Sequence, residues 1–237
     1  MKIPALTAAE MREVDRLMIE EFGISLVQMM ENAGRGLADL ARDLCGQGSA
    51  RDLKVVVLAG SGGNGGGGMA AARHLVNWGA QVQVVLTKAR EEIAGVPGRQ
   101  LAVLEKLPVT LRDGEQVDQL PKADLILDAI IGYSLRGAPY GEPARWIELA
   151  NQREGPLISL DIPSGLDATR GVVEEPYLRA EATLTLALPK TGLMEPSSRP
   201  AVGTLYLADI GVPPSLYRSL GLEVGPIFDS SAVIKLG

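Results

Sequence analysis

Residues 55–75 decide the fold and read VVVLAGSGGNGGGGMAAARHL. An apolar, β-branched run leads into seven glycines that only Ser61 and Asn64 interrupt, and a helix-forming segment follows. This order predicts a strand, a tight glycine loop and a helix. Glycines permit positive φ and leave no side chain between the backbone and a ligand, so the N–H groups of the loop can point at an anion. The partial positive charge at the start of the next helix favours a phosphate in the same place.

The same run matches the dinucleotide-binding pattern Gly60-x-Gly62-x-x-Gly65. The match is a weak signal, because a segment so rich in glycine satisfies many patterns. A glycine-rich surface turn without a ligand is the alternative interpretation.

The composition favours an α/β protein that binds a small molecule. The chain has 237 residues, 46% of them hydrophobic and only 4% aromatic, which suits one large domain with an aliphatic core. Its net charge of −6 argues against a nucleic-acid binder, since no basic stripe is present. No apolar stretch reaches the ~18 residues of a membrane span and no signal sequence is recognisable, so we expect a cytoplasmic protein. The single cysteine, Cys45, excludes an internal disulfide.

Two helices are predicted before the first strand. Thr7 with Glu10, and Ser25 with Gln28, have the spacing of capping boxes, and apolar residues recur at helical intervals after each. The first helix is expected to end near residue 21 and the second near residue 46. Further strands are predicted at 82–86, 109–111, 125–131, 157–162, 182–188 and 204–208, with further helices at 99–107 and 142–151. Apolar runs without alternation indicate strands buried on both faces, hence a doubly wound, largely parallel sheet with a few antiparallel additions near the end.

Ligands of such sheets bind beyond the carboxyl ends of the strands. Three polar segments follow predicted strands and are expected to converge there, namely residues 60–68, 128–134 and 161–167. Asp128 and Asp161 interrupt or end apolar runs, where a carboxylate is costly unless paired. Asp161 is the best-placed general acid or base. The alternative is that both aspartates only cap loops.

Oxygen donors on these segments could also hold a hard cation. Asn64, Asp128 and Ser164 supply amide, carboxylate and hydroxyl oxygens, although spacing alone leaves a monovalent and a divalent ion open. Ser164 is not predicted to be a nucleophile, because the only histidine, His74, lies in a helix and is predicted to be a surface or partly buried residue. Lys190 follows another strand and either reaches a phosphate or is solvated.

Several strings resemble a known family. They are Thr7-x-x-Glu10-Met11-Arg12-x-x-Asp15, Met30-Glu31-Asn32-Ala33-Gly34, the glycine run, Asp128-Ala129 with Gly132, Asp161-Ile162-Pro163-Ser164-Gly165-Leu166-Asp167, Pro189-Lys190 and Ala208-Asp209-Ile210-Gly211. In this order they are similar to the YjeF N-terminal domain family, the NAD(P)H-hydrate epimerases, from about residue 7 to 213. The resemblance implies one domain over residues 1–237 with a Rossmann-like, three-layer α/β/α sandwich.

The resemblance also implies an activity. Such proteins interconvert the R and S epimers of hydrated NADH or NADPH (NADHX and NADPHX), and a dehydratase acts on the product. It implies a homodimer and a potassium ion held by Asn64, Asp128 and Ser164. Substrate contacts are implied for Asp161, which is also the expected catalytic residue, and for Gly63, Asn64, Gly65, Gly66, Gly67, Gly132, Tyr133, Ser134, Leu135, Arg136, Gly137 and Ala138. A dehydratase is then either a separate partner or a fused domain.

Two departures from the family leave other functions open. The family loop is usually Gly-x-Gly-Asn-Asn-Gly-Gly-Asp-Gly, whereas Gly63 and Gly67 stand here in place of an asparagine and the aspartate. A nucleotide-binding scaffold without catalysis is therefore the main alternative. A hydride-transferring dehydrogenase ranks last, because residues 87–90 provide no acidic side chain for a ribose.

Overall fold

A computed structural model describes residues 3–236. Within these residues one sheet has eight strands in the order β3-β2-β1-β4-β5-β6-β7-β8. The strands are β1 Lys54–Ala59, β2 Gln81–Leu86, β3 Thr110–Asp113, β4 Leu125–Ala129, β5 Leu157–Leu160, β6 Ala182–Leu186, β7 Thr204–Ala208 and β8 Val233–Lys235. The helices are α1 Ala8–Glu20, α2 Leu26–Cys45, α3 Gly63–Asn77, α4 Gly95–Leu104, α5 Gly141–Asn151, α6 Arg199–Val202 and α7 Pro214–Ser219. In the described range none of the helices is long and apolar enough to cross a membrane.

Helices cover both faces of the sheet, which confirms the α/β class and the doubly wound arrangement. Side chains of β1 alternate between two apolar clusters on opposite faces of the sheet. Val55 and Val57 belong to the cluster that includes apolar residues of α3. Val56 and Leu58 belong to the cluster that includes Trp146 of α5. Strands buried on both faces read as continuous apolar runs, so the pattern seen in the sequence has this physical origin. The carboxyl ends of β1, β4, β5 and β6 therefore open at one edge.

The two N-terminal helices form as predicted. The Thr7 hydroxyl accepts the N–H of Glu10 at 3.2 Å, and the Glu10 carboxylate accepts the N–H of Thr7 at 2.7 Å, so the first capping box is complete. The Ser25–Gln28 box is also present at the start of α2. Helix α1 ends before Gly23, which has φ of 67°.

The last strands differ in part from the expectation. β6 and β7 pair in parallel although only short helical segments connect them, and the antiparallel member is β8, which pairs with β7. The sequence analysis did not predict β8. Its three residues form an edge strand too short to show periodicity.

The glycine run is mostly helix rather than loop, which corrects the prediction. Helix α3 begins at Gly63, and none of the glycines from 60 to 68 has positive φ. Close packing explains the glycines instead: a Cβ at Gly65 would lie 1.8 Å from the Gly60 carbonyl oxygen, and one at Gly68 would lie 2.4 Å from the Ala129 Cβ. Glycine is required here because a side chain has no room, not because the backbone is unusual.

His74 lies in helix α3, as predicted, but it is buried more deeply than the surface or partly buried position that the sequence suggested. It is only 6% exposed, its Nε2 lies 2.8 Å from Glu31 Oε1, and its ring lies 5.6 Å from the Trp78 ring. Burial and the neighbouring Arg73 guanidinium lower the pKa of His74, against the opposing effect of Glu31. In the folded protein the imidazole therefore stays neutral down to a lower pH than it does in the unfolded chain.

This burial predicts an acid-sensitive contribution to stability. Below the unfolded histidine pKa of about 6.5, the unfolded chain binds a proton that folded His74 does not, so the free energy of unfolding falls by at most about 1.4 kcal/mol per pH unit. Between pH 7.5 and pH 5.5, the free energy of unfolding measured in urea should fall more in the wild type than in His74→Gln. Equal losses in both proteins would rule out this contribution.

Candidate active site

A cavity of about 600 Å³ lies at the carboxyl ends of β1, β4, β5 and β6. The three segments predicted to converge do meet here, since the wall includes residues 60–64, 130–134 and 160–161. Helices α1 and α2 complete it with Met11, Asp15, Met29 and Met30. The volume is typical of a site for a small organic ligand.

Asp161 forms a buried ion pair with Lys190 at this cavity. Asp161 is 4% exposed and Lys190 is completely buried. The Lys190 ammonium donates to Asp161 Oδ1, to the Leu186 carbonyl at 2.8 Å and to the Thr185 hydroxyl at 3.3 Å. Within residues 3–236 no group donates to Asp161 Oδ2, which leaves this oxygen available to a ligand. The solvated interpretation of Lys190 is wrong, and its partner is the aspartate.

The backbone at Asp161 is unusual. Its φ is 64°, in the left-handed region that non-glycine residues seldom adopt. Strained residues of this kind concentrate at functional sites, where the surrounding structure holds them. Here the Asp161 N–H donates to the Leu184 carbonyl at 2.7 Å, and the ion pair fixes the side chain.

Asp128 connects β4 to β5 and to the segment that follows β5. It is fully buried, and its Oδ1 accepts from the Ser164 hydroxyl at 2.7 Å and from the Ile130 N–H at 3.1 Å. Its Oδ2 accepts from the Ser159 hydroxyl at 2.8 Å and from the Ser164 N–H at 2.9 Å. Burial raises the pKa of Asp128, against the effect of these hydrogen bonds. Its donors are all uncharged, so none of them offsets the negative charge of an ionised Asp128.

Asn64 lies against the same segment. A Cβ at Gly132 would be 3.3 Å from Asn64 Cγ, and the neighbouring Ile131 N–H donates to the Ser164 hydroxyl at 2.9 Å. The Asn64 Nδ2 is buried without a hydrogen-bond partner, and a half-turn of the amide places its oxygen there instead. An unpaired buried amide against the segment that follows Asp128 fits a hard, oxygen-coordinated cation. Among residues 3–236 no cluster of three His, Cys, Asp or Glu side chains provides a different metal site.

The predicted substrate-binding residues divide into two groups. Those that line the cavity are Gly63, Asn64, Gly67, Gly132, Tyr133, Ser134 and Asp161. Gly65 and Gly66 are buried within α3 behind this wall, and residues 135–138 lie in the connection that leads to α5, outside the cavity wall. The structure thus brings part of the predicted set together, and substrate contacts remain a prediction for all of it.

Sequence reasoning missed Asp15 as a cavity residue. Asp15 in α1 accepts a hydrogen bond from the Tyr133 hydroxyl. The available signal was its place on the apolar face of a helix, four residues after Met11 and three before Met18, both buried. A carboxylate on such a face needs a partner, and only the fold reveals that the partner follows β4.

Known proteins resemble this chain in sequence and in structure. Residues 26–192, more than half of the chain, match the family described as YjeF-related protein N-terminus. The NAD(P)H-hydrate epimerase of Dehalogenimonas lykanthroporepellens is 47% identical over 93% of this chain and 87% of that protein. The bifunctional NAD(P)H-hydrate repair enzyme Nnr of Moorella thermoacetica is 39% identical over 89% of this chain, which spans only 41% of that longer protein.

The crystal structure of yeast ynu0 superimposes with a TM-score of 0.80 and 27% sequence identity, covering 99% of this chain and all of the yeast chain. The similarity therefore extends through the sheet and both helical layers. Together with the sequence match, it shows that the chain belongs to the family of YjeF-related protein N-termini.

Proposed function

We propose that this protein interconverts the R and S epimers of hydrated NADH and NADPH. The observation that carries the proposal is the buried Asp161–Lys190 pair, which leaves one carboxylate oxygen free at a cavity large enough for the nicotinamide part of the substrate. The name of the relative at 47% identity, NAD(P)H-hydrate epimerase, supports the same reaction.

The start of helix α3 is the proposed diphosphate site. The first helical hydrogen bond runs from the Gly66 N–H to the Gly62 carbonyl at 3.0 Å, so the N–H groups before Gly66 have no partner within the helix. Ser61, Gly62 and Gly63 are exposed at the cavity mouth. Free N–H groups and the positive end of the helix dipole together favour a phosphate group.

Potassium is the proposed ion of the Asn64, Asp128 and Ser164 site. When bound, it would offset the charge of buried Asp128 and brace the three segments that carry these residues. The donors are neutral or singly charged oxygens, which suits a monovalent ion better than a site with several carboxylates would.

The ion is expected to stabilise the fold. Potassium chloride should raise the unfolding temperature more than choline chloride at equal ionic strength, because a ligand of the folded state shifts the unfolding equilibrium. Asn64→Ala should abolish this difference, whereas Asn77→Ala, at the exposed end of the same helix, should retain it. Equal melting temperatures of the wild type in both salts would contradict the proposal.

The reaction itself is tested with the purified protein and the R epimer, followed by separation of the two epimers over time. Conversion faster than the spontaneous rate is expected. A rate equal to the spontaneous one, at protein concentrations where nucleotide binding is demonstrated, would defeat the proposal.

A nucleotide-binding scaffold is the second candidate, and Gly67 favours it. A Cβ at this position would lie 2.8 Å from the Leu160 Cδ2, so an aspartate here would require the Leu160 side chain to move. Calorimetry separates the two functions, since tight binding of NADPHX without turnover indicates the scaffold.

A dehydratase that acts on the product is the proposed partner. Two relatives that share this region are named bifunctional NAD(P)H-hydrate repair enzymes, and this chain spans 41% of each. A homodimer and a cytoplasmic location remain proposals, to be tested by sedimentation and by cell fractionation.

A further inference from the structure

A second carboxyl group faces the cavity from a different element. Asp15 belongs to α1, whereas Asp161 follows β5, and both contribute to the cavity wall. The Tyr133 hydroxyl donates to Asp15 Oδ2 and fixes the orientation of the carboxyl group. No group of the described chain donates to Asp15 Oδ1, so one oxygen is free, as it is on Asp161.

Four ionisable groups interact with Asp15, and a fifth acts on its hydrogen-bond partner Tyr133. Tyr133 contacts Asp15 directly, and Lys190 and Asp161 interact with it electrostatically. Tyr217 of α7 also interacts electrostatically with Asp15. Arg12, which belongs to α1 like Asp15, acts electrostatically on Tyr133. Burial raises the pKa of Asp15, while the Tyr133 hydrogen bond and Lys190 oppose this and Asp161 adds to it. Asp15 therefore keeps its proton to higher pH than a solvated aspartate does.

We infer that Asp15, held by Tyr133, is the second proton-transfer group of the epimerisation and works together with Asp161. The inference rests on the proposed function. Inversion of the carbon that carries the hydroxyl requires a proton at one side of the ring and a proton acceptor at the other. Two carboxyl groups with free oxygens line one cavity, one from α1 and one from the segment after β5, and they supply a proton donor and a proton acceptor for this exchange.

One direction of the proposed reaction begins with a proton on Asp15. The Asp15 proton passes to the substrate hydroxyl, the carbon–oxygen bond breaks, and water leaves as the lone pair of the ring nitrogen forms a carbon–nitrogen double bond. Water then adds to the opposite face, the double bond returns its electrons to nitrogen, and the surplus proton passes to Asp161. One water leaves, one enters, and proton exchange with solvent restores the starting state.

The test is the pH dependence of kcat/KM in the wild type and in matched variants. The two carboxyl groups must share one proton, so the rate should fall at high pH when that proton is lost. Asp15→Asn should lower kcat/KM about 100-fold and remove this alkaline limb. Tyr133→Phe removes a hydrogen bond to ionised Asp15, so its alkaline limb should move to higher pH. Glu13→Gln, on the same helix, should match the wild type.

The outcomes are distinguishable. A wild type no faster than the spontaneous reaction defeats both the proposed function and this inference. An active wild type whose Asp15→Asn variant keeps its rate and profile defeats the inference alone. If Asp15→Asn does not fold, as judged by circular dichroism, the Tyr133→Phe profile decides: an alkaline shift supports the role, and a stationary limb overturns it.

Discussion

Asp161→Asn is expected to lower the epimerisation rate by about 100- to 10,000-fold, the usual contribution of a general acid–base group. An amide at this position can still accept the Lys190 hydrogen bond, but it can neither bind nor release the proton that the reaction needs. Single-turnover conversion of the R epimer measures the loss directly.

The buried lysine also affects the stability of this variant. Removing the carboxylate leaves the Lys190 ammonium without its counter-charge, and breaking a buried pair costs about 3–5 kcal/mol. Asp161→Asn combined with Lys190→Met removes both charges, so it should recover stability without recovering activity. If the double variant regained activity together with stability, the proton-transfer role of Asp161 would be wrong.

Asp167→Asn is the matched control for this position. Asp167 belongs to the same string, but its carboxylate accepts the N–H groups of Thr169 at 2.9 Å and of Arg170 at 2.8 Å, which makes it a turn residue. Its pKa is lowered by these hydrogen bonds and by the Arg170 side chain, against the effect of burial. The folded variant is expected to retain wild-type kcat.

Gly65→Ala is expected to destabilise the protein by about 3 kcal/mol or more. The added Cβ would lie 1.8 Å from the Gly60 carbonyl oxygen, and this backbone atom cannot swing aside as a side chain would. Strand β1 and helix α3 would have to separate.

Gly63→Ala is the control in the same helix. A Cβ there would meet only the Met30 Cε at 3.9 Å, an ordinary contact. The free energies of unfolding of the two variants, measured in urea, should differ by most of the loss predicted for Gly65→Ala. Similar midpoints would show that the close approach of the two backbones tolerates a methyl group.

Much of the fold follows from local sequence signals. The capping boxes at Thr7 and Ser25 and the apolar strand runs depend on residues close together in the chain, and these predictions are confirmed. The glycine run was misjudged because a sequence does not distinguish a glycine needed for its φ from one needed for its small size. That distinction depends on what packs against the glycine, here Ala129 and the backbone of Gly60.

The candidate site could be predicted from the sequence only in part. Asp161 and Asp128 were singled out as candidates because a carboxylate beside an apolar run is unusual at the end of a strand. The pairs Asp161–Lys190 and Asp15–Tyr133 were not, because their members are 29 and 118 residues apart. Only the order of the strands and the packing of α1 against the segments that follow β6 and β7 bring these partners together.

The tight seating of α3 has a consequence for affinity. Gly65 packs against the backbone of Gly60, and Gly68 packs against the side chain of Ala129, so contacts within the protein hold the first turns of α3 in place without a nucleotide. Little conformational entropy is then lost on association, so even the weak attraction between backbone amides and a diphosphate translates into useful binding.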